Sequence, residues 1–193
     1  MGKEQDCVYY NTIFESSTSY RQSYKQSHYF PGWQKTVEWL KLLSRNDLNI
    51  MDVGCGPGQF AEMLKDNSFT SYHGFDFSDI AIDIAKKRIP DWADQFKTAD
   101  IFSSGLLESG AYEAICIFEV LEHLDNDIDC LSRIKPGTIV ILSVPNFWDP
   151  AHVRIFDSID AAMNRYKDII DIQDTFEMTR TPAKWFYLYG IKK

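Results

Sequence analysis

The chain has no cysteines at a C-x-x-C spacing, no apolar run approaching a membrane span, and no excess of positive charge. Each absence removes a class of protein. Cys7, Cys55, Cys116 and Cys130 lie scattered through 193 residues. That pattern neither staples a small secreted fold nor builds a cysteine metal site, and it suits free thiols in a reducing compartment. A spanning helix needs about 20 consecutive apolar residues, and a secretory leader needs a basic start before an apolar run; neither pattern is visible, so the expected location is the cytoplasm, away from the membrane. Met1-Gly2-Lys3 resembles an acylation signal only superficially, because position 6 is Asp where Ser or Thr is required. Twenty Lys and Arg face 28 Asp and Glu, a net charge of -8. Such a balance disfavours a nucleic-acid partner held through many phosphates and favours a small-molecule one.

What is present is a hydrophobic fraction of 45% in a length that suits one domain with a real core and is too short for two. A single domain over residues 1–193 is expected. Its first 33 residues interleave Tyr9, Tyr10, Phe14, Tyr20, Tyr24, Tyr29, Phe30 and Trp33 with Ser, Gln, Arg and Lys, too aromatic a mixture for a disordered tail. These rings either cover one edge of the core or form a lid over a ligand pocket. On the second reading Tyr20, Tyr24 and Tyr29 are candidate substrate contacts. Pro31-Gly32 predicts a break, after which Trp33, Val37, Leu40 and Leu43 recur at helical spacing.

From residue 49 the pattern alternates. Residues 49–53 form a short apolar run ending in Gly54-Cys55-Gly56-Pro57-Gly58, and a helix is expected from Gln59 with Phe60, Met63 and Leu64 on one face. A strand over 72–77 follows. Ser78 then caps a helix with Ile80, Ala81, Ile84 and Ala85, stopped by Pro90. Further strands are predicted over 96–102, 112–120 and 138–144. A helix after Glu119 is expected to place Leu124, Ile128, Leu131 and Ile134 inward and Asp125, Asn126, Asp127 and Asp129 outward, with another helix around 159–166. The runs 169–178 and 185–191 have no helix between them and only a loop-like connector over 179–183, so they pair as a hairpin. The fold class is therefore α/β: a Rossmann-like, seven-stranded, mostly parallel sheet with helices on both faces and an antiparallel C-terminal hairpin strand.

In such a sheet, ligands bind outside the carboxyl ends of the strands, near the switch point. The acids sit there. Asp76 ends the second strand, 22 residues beyond Gly54, where a carboxylate can accept both hydroxyl protons of a ribose. Asp100 ends the third, and Glu119 the fourth. Three glycines within five residues let backbone approach a ligand, and the start of the following helix favours an anionic group. A dinucleotide site needs G-x-G-x-x-G, whereas this turn reads G-x-G-x-G after Asp52. An NAD-dependent oxidoreductase is thus the weaker alternative.

The turn Asp52-Val53-Gly54-Cys55-Gly56-Pro57-Gly58 resembles the first motif of the class I S-adenosylmethionine-dependent methyltransferases. Gly74-Phe75-Asp76-Phe77-Ser78 is similar to their ribose-binding motif and Ala99-Asp100-Ile101-Phe102 to their adenine segment. Phe118-Glu119-Val120-Leu121-Glu122-His123 carries an E-V-L-E-H motif seen in type 11/12-like small-molecule members, and Ile134-Lys135-Pro136-Gly137-Thr138 departs from the common L-K-P-G-G turn only at its ends. The resemblance covers residues 49–146. It implies S-adenosyl-L-methionine as cofactor, bound by Asp52, Gly54, Cys55, Gly56, Gly58, Phe60, Asp76, Phe77, Asp100, Ile101 and Glu119. Methyl transfer is an in-line displacement, so alignment and exclusion of water matter most. His123 is the candidate proton acceptor, with Glu122 beside it, and Asn146 and His152 join the tyrosines as acceptor contacts. The sequence Glu119-x-x-Glu122-His123 also resembles a metal-binding segment of ubiquinone-type O-methyltransferases and small-RNA ribose methyltransferases, with His152 as a further donor. The site is read here without a metal. The open alternatives are an RNA ribose methyltransferase with a metal and a non-catalytic cofactor-binding protein.

Overall fold

The computed structural model describes residues 2–193. Seven strands form one sheet: β1 Ile50–Val53, β2 Tyr72–Asp76, β3 Phe96–Thr98, β4 Ala114–Phe118, β5 Ile139–Pro145, β6 Ile170–Arg180 and β7 Ala183–Lys192. Their order across the sheet is β3-β2-β1-β4-β5-β7-β6. The first five are parallel, whereas β7 enters antiparallel between β5 and β6. The expected fold class is the observed one. The chain leaves β1 toward β2 and β3, then returns to the other side of β1 through β4, and that reversal opens a crevice above the carboxyl ends of β1 and β4.

Successive side chains on a strand point to opposite faces, and here both faces are buried. Ile50, Cys116 and Ile141 enter one core cluster, and Met51, Ile115 and Leu142 the other. The first is covered by α2 (Phe30–Lys41), α3 (Gln59–Asp66) and α4 (Asp79–Arg88), and the second by α5 (Asp127–Ser132) and α6 (Ile159–Tyr166). This two-sided burial is why the strands read as unbroken apolar runs. Ser78 and Ser158 accept from Ala81 N and Ala161 N at the starts of α4 and α6, satisfying donors that the helices leave unpaired.

Local expectations fail where one signal serves two geometries. Pro31-Gly32 does not break the chain. Both lie in the first turn of α2, where proline's missing N–H is harmless, and Gly32 is required because a side chain there would strike the ring of Tyr187. The third strand stops at Thr98 instead of Phe102, leaving Asp100 in a loop. After Glu119 there is no continuous helix: a 3-10 turn, Leu121–His123, precedes the six-residue α5. The hairpin strands run almost to their turn, with a bulge between Ile172 and Asp174. No helix among the described residues is long and apolar enough to cross a membrane.

Asp127, expected on the outer face of its helix, is buried. Arg165 donates to its two oxygens at 2.7 Å each, the Tyr166 hydroxyl donates at 3.0 Å, and an Arg154 nitrogen lies 3.3 Å away. One carboxylate thus ties α5, α6 and the segment after β5 together. Asp127→Asn leaves these cations with a neutral partner and should lower stability by about 2–4 kcal/mol. Urea denaturation with an unchanged m-value is the check.

Candidate active site

β1 ends in the glycine turn, where Gly54, Gly56 and Gly58 have φ of 67°, 50° and 75°. This left-handed backbone is cheap only for glycine. A side chain at Gly54 would strike Val120, and one at Gly58 would crowd Ala85 of α4 at 3.1 Å. Gly58 precedes α3, whose start carries no side-chain cap. Above the turn lies a cavity of about 340 Å³ that runs along the carboxyl edge of the sheet.

Asp76, the last residue of β2, accepts from Gly56 N at 3.0 Å and Ser78 N at 2.9 Å. It is therefore held against the glycine turn, and burial nonetheless pushes its carboxyl up to about 6. Asp52 accepts from the Tyr72 hydroxyl at 2.8 Å. Burial, reinforced by the nearby Asp76 charge, raises it to about 7. Glu119 follows β4 with φ of 55°, an uncommon conformation for a non-glycine residue. The Ser143 hydroxyl of β5 donates to it at 2.7 Å, and burial raises it to about 7. Cys55, Phe60, Phe77 and Ile101 line the same cavity. Asp100 also reaches it from the loop, but its Oδ1 is engaged by Phe102 N and Ser103 N at 3.1 and 2.8 Å.

Glu122 is fully buried, and neither of its side-chain oxygens has a partner. Such a group costs free energy unless a ligand satisfies it. Glu122, His123 and His152 each present a ligand atom, all within 4.8 Å of one another. His152 Nδ1 lies 2.9 Å from Phe147 O. A carbonyl can only accept, so Nδ1 carries a proton there and Nε2 is the atom turned to its neighbours. His123 Nδ1 lies 3.0 Å from Ala151 O and 2.8 Å from the Tyr10 hydroxyl. Burial, with His152 adjacent, pushes His123 down to about 4, so it is neutral at pH 7. These three residues can bind a divalent ion or accept a proton.

The structure brings most of the expected residues together, with three exceptions. Tyr24 is buried in the core and donates to Asp66 at 2.9 Å, away from the cavity. Asn146 accepts from Lys184 N at 2.7 Å and ties the end of β5 to β7, also off the cavity wall. Gly58 stands behind the turn, where it lets α3 pack on α4. Tyr20 and Tyr29 do line the cavity, and so do Tyr10 and Trp33 of the same aromatic segment, Phe147 of the loop that carries His152, and Phe118, which was not expected there. The pairing of Tyr10 with His123 joins residues 113 positions apart, and no local pattern could reveal it. Residues 2–29 run across the cavity's mouth: Gly2 N donates to His152 O at 2.8 Å, Lys3 N to Pro150 O at 3.1 Å, and α1 (Cys7–Ser16) contributes Tyr9, Tyr10 and Phe14. Arg88 fixes the segment's far end by donating to Tyr20 O, Gln22 O and Pro57 O while pairing with Glu62 at 2.9 Å.

An open α/β sheet with a glycine cradle at its switch point and an acid at the end of the adjacent strand defines a nucleotide-cofactor-binding fold. The comparisons specify it: residues 25–181 match the model of a family described as a methyltransferase domain, and the chain belongs to that family. It is 34% identical over 116 residues to a mitochondrial ubiquinone biosynthesis O-methyltransferase of Dictyostelium discoideum, covering 51% of this chain and 36% of that protein. It is 29% identical over 114 residues to the protein of the same name from Candida albicans, covering 55% and 35%. The matches thus span about a third of the length of these curated relatives. Among solved structures, magnesium protoporphyrin IX methyltransferase from Synechocystis PCC 6803, with bound SAM, superposes with a TM-score of 0.71 at 20% identity over 98% of each chain. At that identity the likeness speaks for the fold.

The raised acids predict an unusual pH dependence. Asp52 holds its proton to about pH 7 when folded and releases it near 3.8 when unfolded, so the folded state binds more protons in between. Its contribution to stability is present below about pH 4 and is lost as pH rises through 7. Asp52→Asn should therefore melt increasingly above the parent from pH 5 to 8, by at least about 1 kcal/mol at pH 8. Parallel thermal melts across that range measure the difference.

Proposed function

We propose that the chain is an S-adenosyl-L-methionine-dependent methyltransferase acting on an oxygen or nitrogen nucleophile of a small molecule. The observation that carries this reading is the charge of the cradle: Asp52, Asp76 and Glu119 surround the glycine turn, and no Lys or Arg is among the described residues lining the cavity. A cationic amine and a sulfonium draw such burial-raised acids into their charged form and are held by it, whereas the pyrophosphate of a dinucleotide finds no cation here to pair with. The cofactor, when bound, supplies an electrophilic methyl group. In this reading Asp76 holds the ribose hydroxyls, the Ile101 backbone and Asp100 meet the adenine, and the 54–58 backbone with Cys55 and Phe60 lines the methionine portion. Glu119 faces the amino group. Neutral His123 takes the acceptor's proton, with Tyr10 fixing its ring and Glu122 alongside. The aromatic segment over the mouth acts as the lid that excludes water.

Calorimetry with S-adenosylhomocysteine and with NAD tests the reading. Binding of the former alone is expected, and binding of NAD alone would refute it. Asp76→Ala should weaken S-adenosylhomocysteine at least tenfold, since it removes a buried charged acceptor, and it should leave the fold intact by circular dichroism.

A second reading concerns a metal. The unpartnered Glu122 carboxylate beside the His123 and His152 imidazoles fits a divalent ion, which would add Lewis acidity at an acceptor oxygen. The relatives named for ubiquinone O-methylation support an oxygen acceptor. Titration of the chelated protein with manganese or zinc is expected to show one site that Glu122→Gln abolishes; no heat and no change in activity would leave the metal-free reading. An RNA acceptor fits poorly with the net charge of -8 and the acidic cavity wall. The four free cysteines support a reducing compartment such as the cytoplasm.

A further inference from the structure

We infer that the methyl acceptor is a flat, ring-bearing molecule that carries no carboxylate or phosphate, and that the part of the cavity above β4 and β5 is its binding site. This rests on the methyltransferase reading and adds the acceptor's chemical class. The strand order sets the two halves of the cavity apart: Asp100, Asp76 and the glycine turn lie above β3, β2 and β1, whereas Glu119, Glu122, Phe147 and His152 lie above β4 and β5.

The walls of the second half are rings in mutual contact. Tyr29 lies 5.6 Å from Trp33, Trp33 lies 6.1 Å from Phe60, and Phe60 meets Phe118 edge-on at 5.0 Å. Phe147 joins them through Trp185, on which it and Tyr29 both pack at 5.4 and 6.1 Å, and it lies 5.5 Å from His152. Such surfaces hold a planar ring by stacking and edge contacts, and they hold a cation through the negative faces of the rings. The charged groups have one sign. Seven carboxylate residues line the whole cavity, and among the described lining residues there is no Lys or Arg. Of these acids, Glu119, Glu122 and Asp149 belong to the β4–β5 half. Arg154, the nearest guanidinium along the chain, is turned away and donates to Leu121 O, and to Asp125 O at 3.1 Å, beside Asp127. An anionic acceptor meets no Lys or Arg on this lining, and its charge opposes ionisation of Glu119 and Glu122, which burial already holds toward their neutral forms, whereas a cationic group favours it. A neutral phenol or an aromatic amine meets no such penalty, and an ammonium would satisfy Glu122.

Three near-isosteric phenols separate the possibilities: 4-ethylphenol, tyramine and 4-hydroxyphenylacetate, titrated by calorimetry into the chain saturated with S-adenosylhomocysteine. Tyramine and 4-ethylphenol are expected to bind, with 4-hydroxyphenylacetate at least tenfold weaker than tyramine. Glu122→Gln should narrow that gap at least threefold while still binding S-adenosylhomocysteine; if it loses the cofactor product, Asp149→Asn serves instead. Equal or tighter binding of 4-hydroxyphenylacetate, no binding of any probe, or a gap that neither variant changes would overturn the assignment. Failure of S-adenosylhomocysteine itself to bind would instead remove the methyltransferase reading on which this one stands.

Discussion

The constraint on which the site depends is the burial of carboxylates without a protein counter-charge. Asp52, Asp76 and Glu122 are buried and Glu119 is half-buried, and every one is pushed toward its neutral form by desolvation. Elsewhere the same protein pairs a buried acid fully: Asp127 has two arginines and a tyrosine. The contrast between Asp127 and Glu122 separates structure from chemistry. The first carboxylate stitches helices together and needs nothing more; the second has no hydrogen-bond partner in the protein, which marks it as a candidate for chemistry.

The fold supplies that dry setting through its sheet. Alternation on β1, β4 and β5 fills two separate cores, so the strands are rigid and their ends are fixed relative to one another. Ser143 on β5 can then hold Glu119 after β4, and Gly56 can hold Asp76 after β2. Glu119 keeps a left-handed backbone only because these neighbours over-determine it.

Much of this was legible before any coordinates. The glycine turn, the acids at strand ends and the terminal hairpin follow from patterns whose physical meaning is local: an apolar run, a turn residue, a cap. What escaped were features in which one residue type serves two purposes. Pro31 reads as a breaker yet opens a helix, Asp127 reads as a solvated face yet is the most heavily bonded acid in the core, and Tyr24 reads like its aromatic neighbours yet anchors to Asp66. The link from Tyr10 to His123, and the position of Trp33 and Phe147 on one wall, depend on segments more than a hundred residues apart. Periodicity carries no information about such pairs.

The two backbone hydrogen bonds that join residues 2 and 3 to the 150–152 loop form a doorway with weak hinges. Each is worth about 1 kcal/mol net in water, whereas Arg88 holds the opposite end of the same segment through two carbonyls, Tyr20 O and Gln22 O, while itself tied to Pro57 O and Glu62. Between these ends Glu4 accepts from Asp125 N at 2.8 Å, the Tyr10 hydroxyl meets His123 Nδ1 at 2.8 Å and Asn11 donates to Asp79 at 2.8 Å, so small fastenings continue along the segment's length. No single one of them is a latch: the cover over the cavity is held by many small bonds in sum, each of which water can replace.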